Sequence, residues 1–387
     1  MRKKKMVEWK TVKLGDICSI STGKRPLRKE THISQEYPIP VYGGNGISWF
    51  TNETLLDEPV ILTGRVGTIG TLYRVKKPCW VSDNALLISP KRANFDFVFY
   101  ILKLSNFTAL NRGSTQPLIT QTDVKNLEIP LPPLDVQKRI AGILGALDDR
   151  IDVLRRENVV LEQMAQAVFQ SWFVDFDIVR AKAAGTPESE VCEKYHITPE
   201  LYALFPSALT PDNLPLGWEK KKLGDFLILS YGKALKENDR VSGSVPVYGS
   251  SGQIGTHNES LVKAPGIVVG RKGTVGSVIW CDYDFYPIDT VFYVQFLKEG
   301  ACWYFAYFLL KILKLQNLAG DSAVPGLNRD AAYAQTFVCP RTELLSSFEE
   351  VADVLFCKIK NNAEQIRTLS ATRDALLPKL MNGEIEV

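Results

Sequence analysis

The chain has 387 residues, beyond the size at which one hydrophobic core keeps growing, so two or more domains are expected. Its 45% hydrophobic and 23% charged residues are those of an ordinary soluble protein, and a net charge of +3 is too small to mark a nucleic-acid binder by itself. Seven cysteines, odd in number and nowhere spaced as CxxC, argue against a disulfide framework and a structural zinc site.

The start of the chain is locally basic. Arg2 to Glu30 carries ten Lys or Arg against Glu8, Asp16 and Glu30, a candidate phosphate-facing patch. Val7 to Asp16 supplies no apolar core for a signal peptide. The most apolar run, ACWYFAYFLLKIL from Ala301, is too short and aromatic for a membrane span and reads as a buried helix. A soluble, cytoplasmic protein with no membrane partner is expected.

From Trp9 onward the chain runs through a set of segments that return later in the same order. WKTVKLGDI (Trp9 to Ile17) is answered by WEKKKLGDF (Trp218 to Phe226), IPVYGGNG (Ile39 to Gly46) by VPVYGSSG (Val245 to Gly252), and GRVGTIG at Gly64 by GRKGTVG at Gly270. VSDN at Val81 is echoed by PIDT at Pro287, and LNRGSTQPLITQTDV from Leu110 by QNLAGDSAVPGLNRD from Gln316. Two copies of one domain in tandem follow. Short apolar runs bounded by Gly, Pro and Asn predict strands and turns, with helices only at FVFYILKLS from Phe97 and its counterpart from Trp303, so each copy is mainly β.

Each copy is followed by a heptad seam. Ile140, Leu144, Leu147, Ile151, Leu154, Asn158, Leu161, Ala165, Val168 and Trp172 recur in steps of four and three, as do Phe348, Ala352, Leu355, Ile359, Asn362, Ile366, Leu369, Arg373, Leu376 and Leu380. Helices at about 135–173 and 345–382 are predicted, the first on the order of 55 Å long at ~1.5 Å per residue. Asn158 is sixth of ten in its seam and Asn362 fifth, so antiparallel pairing places them face to face as a register-fixing polar pair. Pro378 removes a backbone hydrogen bond and leaves the last layer in doubt. The fold class is therefore α+β: two tandem mainly-β domains, at 1–134 and 210–343, separated by two long helices forming an antiparallel coiled coil. The helical regions fall at 135–180 and 344–387, with a linker at 181–209.

No catalytic constellation is visible. GRVGTIG is GxxGxxG before a strand-like segment, not the GxGxxG that opens a helix, and neither a GxxxxGK[ST] loop nor a methyltransferase [DN]PP[YFW] segment occurs. His32, His196 and His257 lie in unrelated contexts, so no metal site is expected. What the copies do place on glycine-rich loops is Lys24, Arg25, Tyr42, Asn45, Arg65, Asn84, Ser114 and Gln116 in the first, and Lys233, Tyr248, Ser251, Gln253, Arg271, Lys272 and Ser322 in the second. Arg, Asn and Gln can contact base edges bidentately, while Lys and Ser suit phosphate oxygens. A common framework with divergent loops suits two readers of different DNA sequences.

LPPLDVQKRIAGILGALDDRID from Leu131, LFPSALTPDNLPLGWEKKKLGDF from Leu204 and RDALLPKLMNGEIEV from Arg373, with FQSWFVDFD at Phe169 and GSTQPLIT at Gly113, resemble the specificity subunit of type I restriction-modification systems over essentially the whole chain. The resemblance implies a non-catalytic protein whose two recognition domains each read half of a bipartite site in double-stranded DNA. Its helices would separate the domains and dock two modification subunits, with up to two restriction subunits as further partners. It also implies that no cofactor sits on this chain, S-adenosylmethionine belonging to the modification subunit. The second half departs from the pattern: CPRTELLSSFEEVADVL lacks the PPLDVQKRI form found at Pro132. A coiled-coil scaffold that binds proteins and leaves DNA alone is the alternative, and steep salt dependence of DNA binding separates the two.

Overall fold

The computed structural model describes residues 9–113, 117–297, 302–318 and 326–387. The chain divides into two compact units, residues 1–154 with 365–387, and residues 155–364.

In the first unit, strand Lys10–Lys13 pairs antiparallel with Glu128–Leu131, which ties the start of the recognition domain to its end. Between them lie two sheets. One is antiparallel with order Cys18–Thr22, Ala85–Pro90, Val60–Gly64, Leu72–Val75; the other has order Gly46–Thr51, Ile39–Gly43, Trp80–Val81 and contains one parallel pairing, Val41 with Trp80. Val60–Gly64 is buried along its whole length, which is why it reads as a continuous apolar run without alternation. Helix Phe95–Leu104 packs its Phe97, Tyr100 and Ile101 on Ile20, Ile61, Leu86 and Ile88. Each such side chain contributes roughly 1.5–3 kcal/mol by leaving water.

The second unit repeats this plan strand for strand. Glu219–Lys222 pairs with Thr336–Cys339; the four-stranded order is Leu227–Tyr231, Val291–Phe296, Gly266–Gly270, Val278–Cys281; the three-stranded order is Gly252–His257, Val245–Gly249, Tyr286–Pro287. Even the irregularity recurs, since the hairpin register shifts between Val41 and Tyr42 and again between Val247 and Tyr248. One detail diverges. Asn94 caps its helix by accepting the Phe97 N–H at 2.9 Å, whereas Cys302 at the start of helix Trp303–Ile312 offers no side-chain cap. There Glu349, from the C-terminal long helix, accepts the N–H groups of Tyr304 (3.1 Å) and Phe305 (2.8 Å).

The long helices span Leu134–Phe173 and Thr342–Met381, 40 residues each. Within the second unit they pair antiparallel: Asn362 Nδ2 donates to Asn158 Oδ1 at 2.9 Å, Asn158 Nδ2 donates to the Ile359 carbonyl at 3.3 Å, and Phe169 meets Phe348 with ring centres 5.8 Å apart. Within the first unit Ile140 and Leu144 share a core with Leu377, Leu380 and Met381, and Arg373 donates to Asp148 at 2.8 Å. The doubt over Pro378 is corrected. The helix runs through it to Met381, because burial of Leu380 and Met381 outweighs one missing backbone bond. The first helix ends at Phe173, before Phe176 takes a left-handed conformation (φ 56°). The stretch expected as a linker, 181–209, is itself folded: after the end of helix Asp177–Ala183 come helices Glu188–Tyr195 and Pro199–Leu204, and Val191, Ile197 and Phe205 join the second unit's core.

Candidate nucleic-acid interface

In each recognition domain four loop segments converge through the same backbone hydrogen bonds. The Lys24 N–H donates to the Val81 carbonyl at 2.8 Å, and Lys233 to Pro287 at 3.0 Å. Arg65 donates to Asn84 at 2.9 Å, and Arg271 to Thr290 at 2.9 Å. The Arg65 carbonyl accepts from Ile119 at 3.0 Å, and the Arg271 carbonyl from Leu327 at 2.8 Å. Ser82 donates to the Tyr42 carbonyl at 2.8 Å, and Ile288 to Tyr248 at 3.0 Å. Backbone groups thus build the frame, and side chains are left to vary on it.

The glycine-spaced motif serves this frame. A Cβ at Gly64 would stand 1.8 Å from the Thr68 carbonyl oxygen, and one at Gly270 would stand 2.1 Å from that of Thr274. The next two glycines of each motif hold left-handed φ, +77° and +81° at Gly67 and Gly70, +76° and +74° at Gly273 and Gly276. The motif is a folded turn that carries Arg65, or Arg271 and Lys272.

The sequence-predicted residues fall into four groups. In the first domain Lys24, Arg25, Asn45 and Asn84 are exposed and Arg65 is half-buried, all on the converging loops. Asn45 stands at the tip of a two-residue hairpin whose neighbour Gly44 lies against Gly64 and Asn84, and Arg25 reaches Asp83 at 3.3 Å. In the second domain Lys233, Ser251, Gln253 and Lys272 are exposed, and the Ser250–Ser251 tip meets the glycine turn through the Thr274 N–H to Ser250 Oγ at 3.3 Å. Gln253 Nε2 donates to its own strand at Gly255 at 3.3 Å.

Tyr42 and Tyr248 stand apart from these. Both are half-buried, with Tyr42 on Tyr73 and Tyr248 edge-on to Phe285 at 5.9 Å, and burial raises both phenol pKa values above their ordinary range. Ser114, Gln116 and Ser322 lie outside the described residues. Asn158 and Asn362 meet as expected on the paired long helices.

Two residues on this surface escape sequence inspection. Tyr231 and Arg329 join Arg271, whose guanidinium carbon lies 4.8 Å from the Tyr231 ring centre, with that of Arg329 at 5.1 Å. The signal that finds them is the backbone correspondence of the copies: Tyr231 ends the strand before Gly232 as Thr22 does before Gly23, and Arg329 follows the cap Asn328 as Gln121 follows Thr120.

Among the described residues no group of three or more His, Cys, Asp or Glu is placed to hold a metal ion, and no helix is long and apolar enough to cross a membrane. The arrangement offers hydrogen-bond donors, cations and amide side chains on rigid turns, a surface suited to polar recognition.

The chain is 24% identical over 445 aligned residues to the type I restriction enzyme MjaIX specificity subunit of Methanocaldococcus jannaschii, covering 98% of this chain and 94% of that one. It is 27% identical over 375 residues to the type I restriction enzyme HindI specificity subunit of Haemophilus influenzae, covering 79% of each. Among solved structures, the S subunit of a type I restriction-modification system from M. genitalium has the same fold, with a TM-score of 0.61 over 98% of both chains at 19% identity. A family model described as the type I restriction modification DNA specificity domain matches residues 6–163 and again 215–331, most of both repeats, so the chain belongs to that family.

Proposed function

We propose that this chain reads an asymmetric, interrupted site in duplex DNA, one half-site per recognition domain, and carries modification subunits to it. The observation that carries the reading is the contrast between the two copies: the same backbone bonds hold the same loops, while the exposed side chains differ, with Arg25, Asn45 and Asn84 on one and Ser251, Gln253 and Lys272 on the other. Direct readout needs such a contrast, because different bases demand different donors and acceptors in the major groove.

Members of the specificity family are not themselves catalytic. Adenine methylation, with its S-adenosylmethionine, falls to two modification subunits, and cleavage to restriction subunits where these join. Docking would use the long helices. Their seam residues are buried or half-buried, yet Val159, Val160 and Met164 of the first helix and Val354 of the second remain more than half exposed, an apolar outer surface on otherwise polar helices.

Single-base mapping of methylation in a host that expresses this chain with its modification subunits tests the reading. One bipartite motif with an unread spacer is expected, and a single continuous motif would refute two independent readers. Binding should also weaken steeply with salt, as it does wherever phosphates are neutralised.

A further inference from the structure

We propose that Tyr231, Arg271 and Arg329 form a clamp for one DNA backbone phosphate in the second recognition domain, a device the first domain lacks; the proposal rests on DNA reading by that domain. The two guanidinium carbons lie 4.8 and 5.1 Å from the same ring centre, and Tyr231 is 49% exposed. Arg271 is held in place: its Nη1 donates to the Asp289 carbonyl at 2.9 Å, and its backbone is tied to Thr290 and Leu327. Arg329 is packed between Tyr231 and Tyr333, at 5.1 and 5.9 Å, and its buried Nε has no partner among the described residues.

Neither arginine forms an ion pair with a carboxylate among the described residues. Two like charges held on one ring repel, and among the described residues no carboxylate balances them. Lys233 and Lys272, exposed on the adjoining segments, add to the positive field. An oxyanion with several acceptor oxygens answers this deficit, since guanidinium forks bind phosphate through paired N–H groups. A base edge would engage one fork and leave the second cation uncompensated. At the corresponding places the first domain has Thr22 for Tyr231 and Gln121 for Arg329, keeping only Arg65.

The test is a salt titration of duplex binding by the full chain assembled with its modification subunits. Two duplexes are compared, one carrying the complete site and one with the second half-site scrambled. Arg329→Ala is expected to weaken binding to both by the same factor, to lower the slope of log K against log salt by about 0.9, and to leave the preferred bases unchanged. Arg329→Lys should restore most of the slope.

A loss confined to the complete site with an unchanged slope would make Arg329 a base reader and overturn the clamp; no change on either duplex would overturn it as well. A second variant covers the case in which Arg329→Ala does not fold. Thr22→Tyr with Gln121→Arg builds the cluster in the first domain and should steepen the slope by a similar amount, and an unchanged slope would overturn the proposal. Failure of the wild-type assembly to bind duplex DNA at all would instead refute the DNA reading itself.

Discussion

Replacing Asn362 by Ala should destabilise the second unit more than truncation of an ordinary surface amide. Asn362 is fully buried, and its Nδ2 supplies the 2.9 Å hydrogen bond to Asn158 Oδ1. Truncation removes that bond, worth about 1 kcal/mol, and leaves an acceptor in the seam without a donor, at about 1–3 kcal/mol more. The total, about 2–4 kcal/mol, is a sizeable share of a typical stability of 5–15 kcal/mol. The Asn362 Oδ1 is already without a partner, so the pair is a costly device kept for register.

Converting both Asn158 and Asn362 to Leu should therefore stabilise the packed helices by about 1–3 kcal/mol while loosening their register. Urea unfolding read by hydrogen exchange in peptides from residues 155–173 and 342–364 measures this in the second unit alone. A cost below about 0.5 kcal/mol for Asn362→Ala, or a Leu pair no more stable than the single variant, would refute the reasoning.

In the first unit Asp148 accepts hydrogen bonds from Arg373 (2.8 Å) and Tyr100 (2.7 Å) and lies 3.7 Å from Arg74. Burial raises its pKa, but the bonds from Arg373 and Tyr100 outweigh this and hold the carboxyl below its ordinary range, so its contribution is present above that range and lost as pH falls through the folded value. Asp148→Ala should cost about 3–5 kcal/mol and remove part of the acid sensitivity, as followed by unfolding at pH values down to about 3.

Glu349 behaves oppositely. Burial pushes its pKa up to about 7 against the pull of the Phe305 and Tyr304 N–H groups, so its contribution is present below the ordinary carboxylate range and lost as pH rises through about 7. Glu349→Gln should flatten the second unit's stability between roughly pH 5 and 8, which unfolding midpoints across that range report. At the interface, Asn45→Ala with Asn84→Ala should relax base preference in one half-site only, by about 1–3 kcal/mol for each lost bidentate contact, as site selection from a randomised duplex library would show.

The sequence by itself determined the features that rest on local periodicity and on counting. The tandem repeat, the mainly-β character of each copy and the two long helices follow from residue types at fixed spacing. So does the meeting of Asn158 with Asn362, because in a heptad seam the partner of each layer is given by its ordinal position. The loops that carry the candidate contacts were legible too, since glycine turns announce themselves. Which side chains on them face outward was not: the register shift after Val41 and Val247 leaves Tyr42 and Tyr248 packed against aromatic neighbours.

Tertiary structure alone decided the contacts between residues far apart in the chain. Arg329 comes to Tyr231 only because the two segments end beside the same turn, and Glu349 becomes a helix cap only because Cys302 left that helix uncapped. The same physics lets the two copies solve one packing problem differently. Arg74 pairs with Asp96 and Asp148 in the first unit, while in the second Trp280 stacks on Tyr304 at 4.7 Å and meets Phe356 edge-on at 5.1 Å. Charged groups in one copy and aromatic rings in the other fill the corresponding place between sheet and helix. Nothing in the spacing of either sequence distinguishes them, because burial and partner geometry, which choose between charge and ring, arise only when the chain has folded.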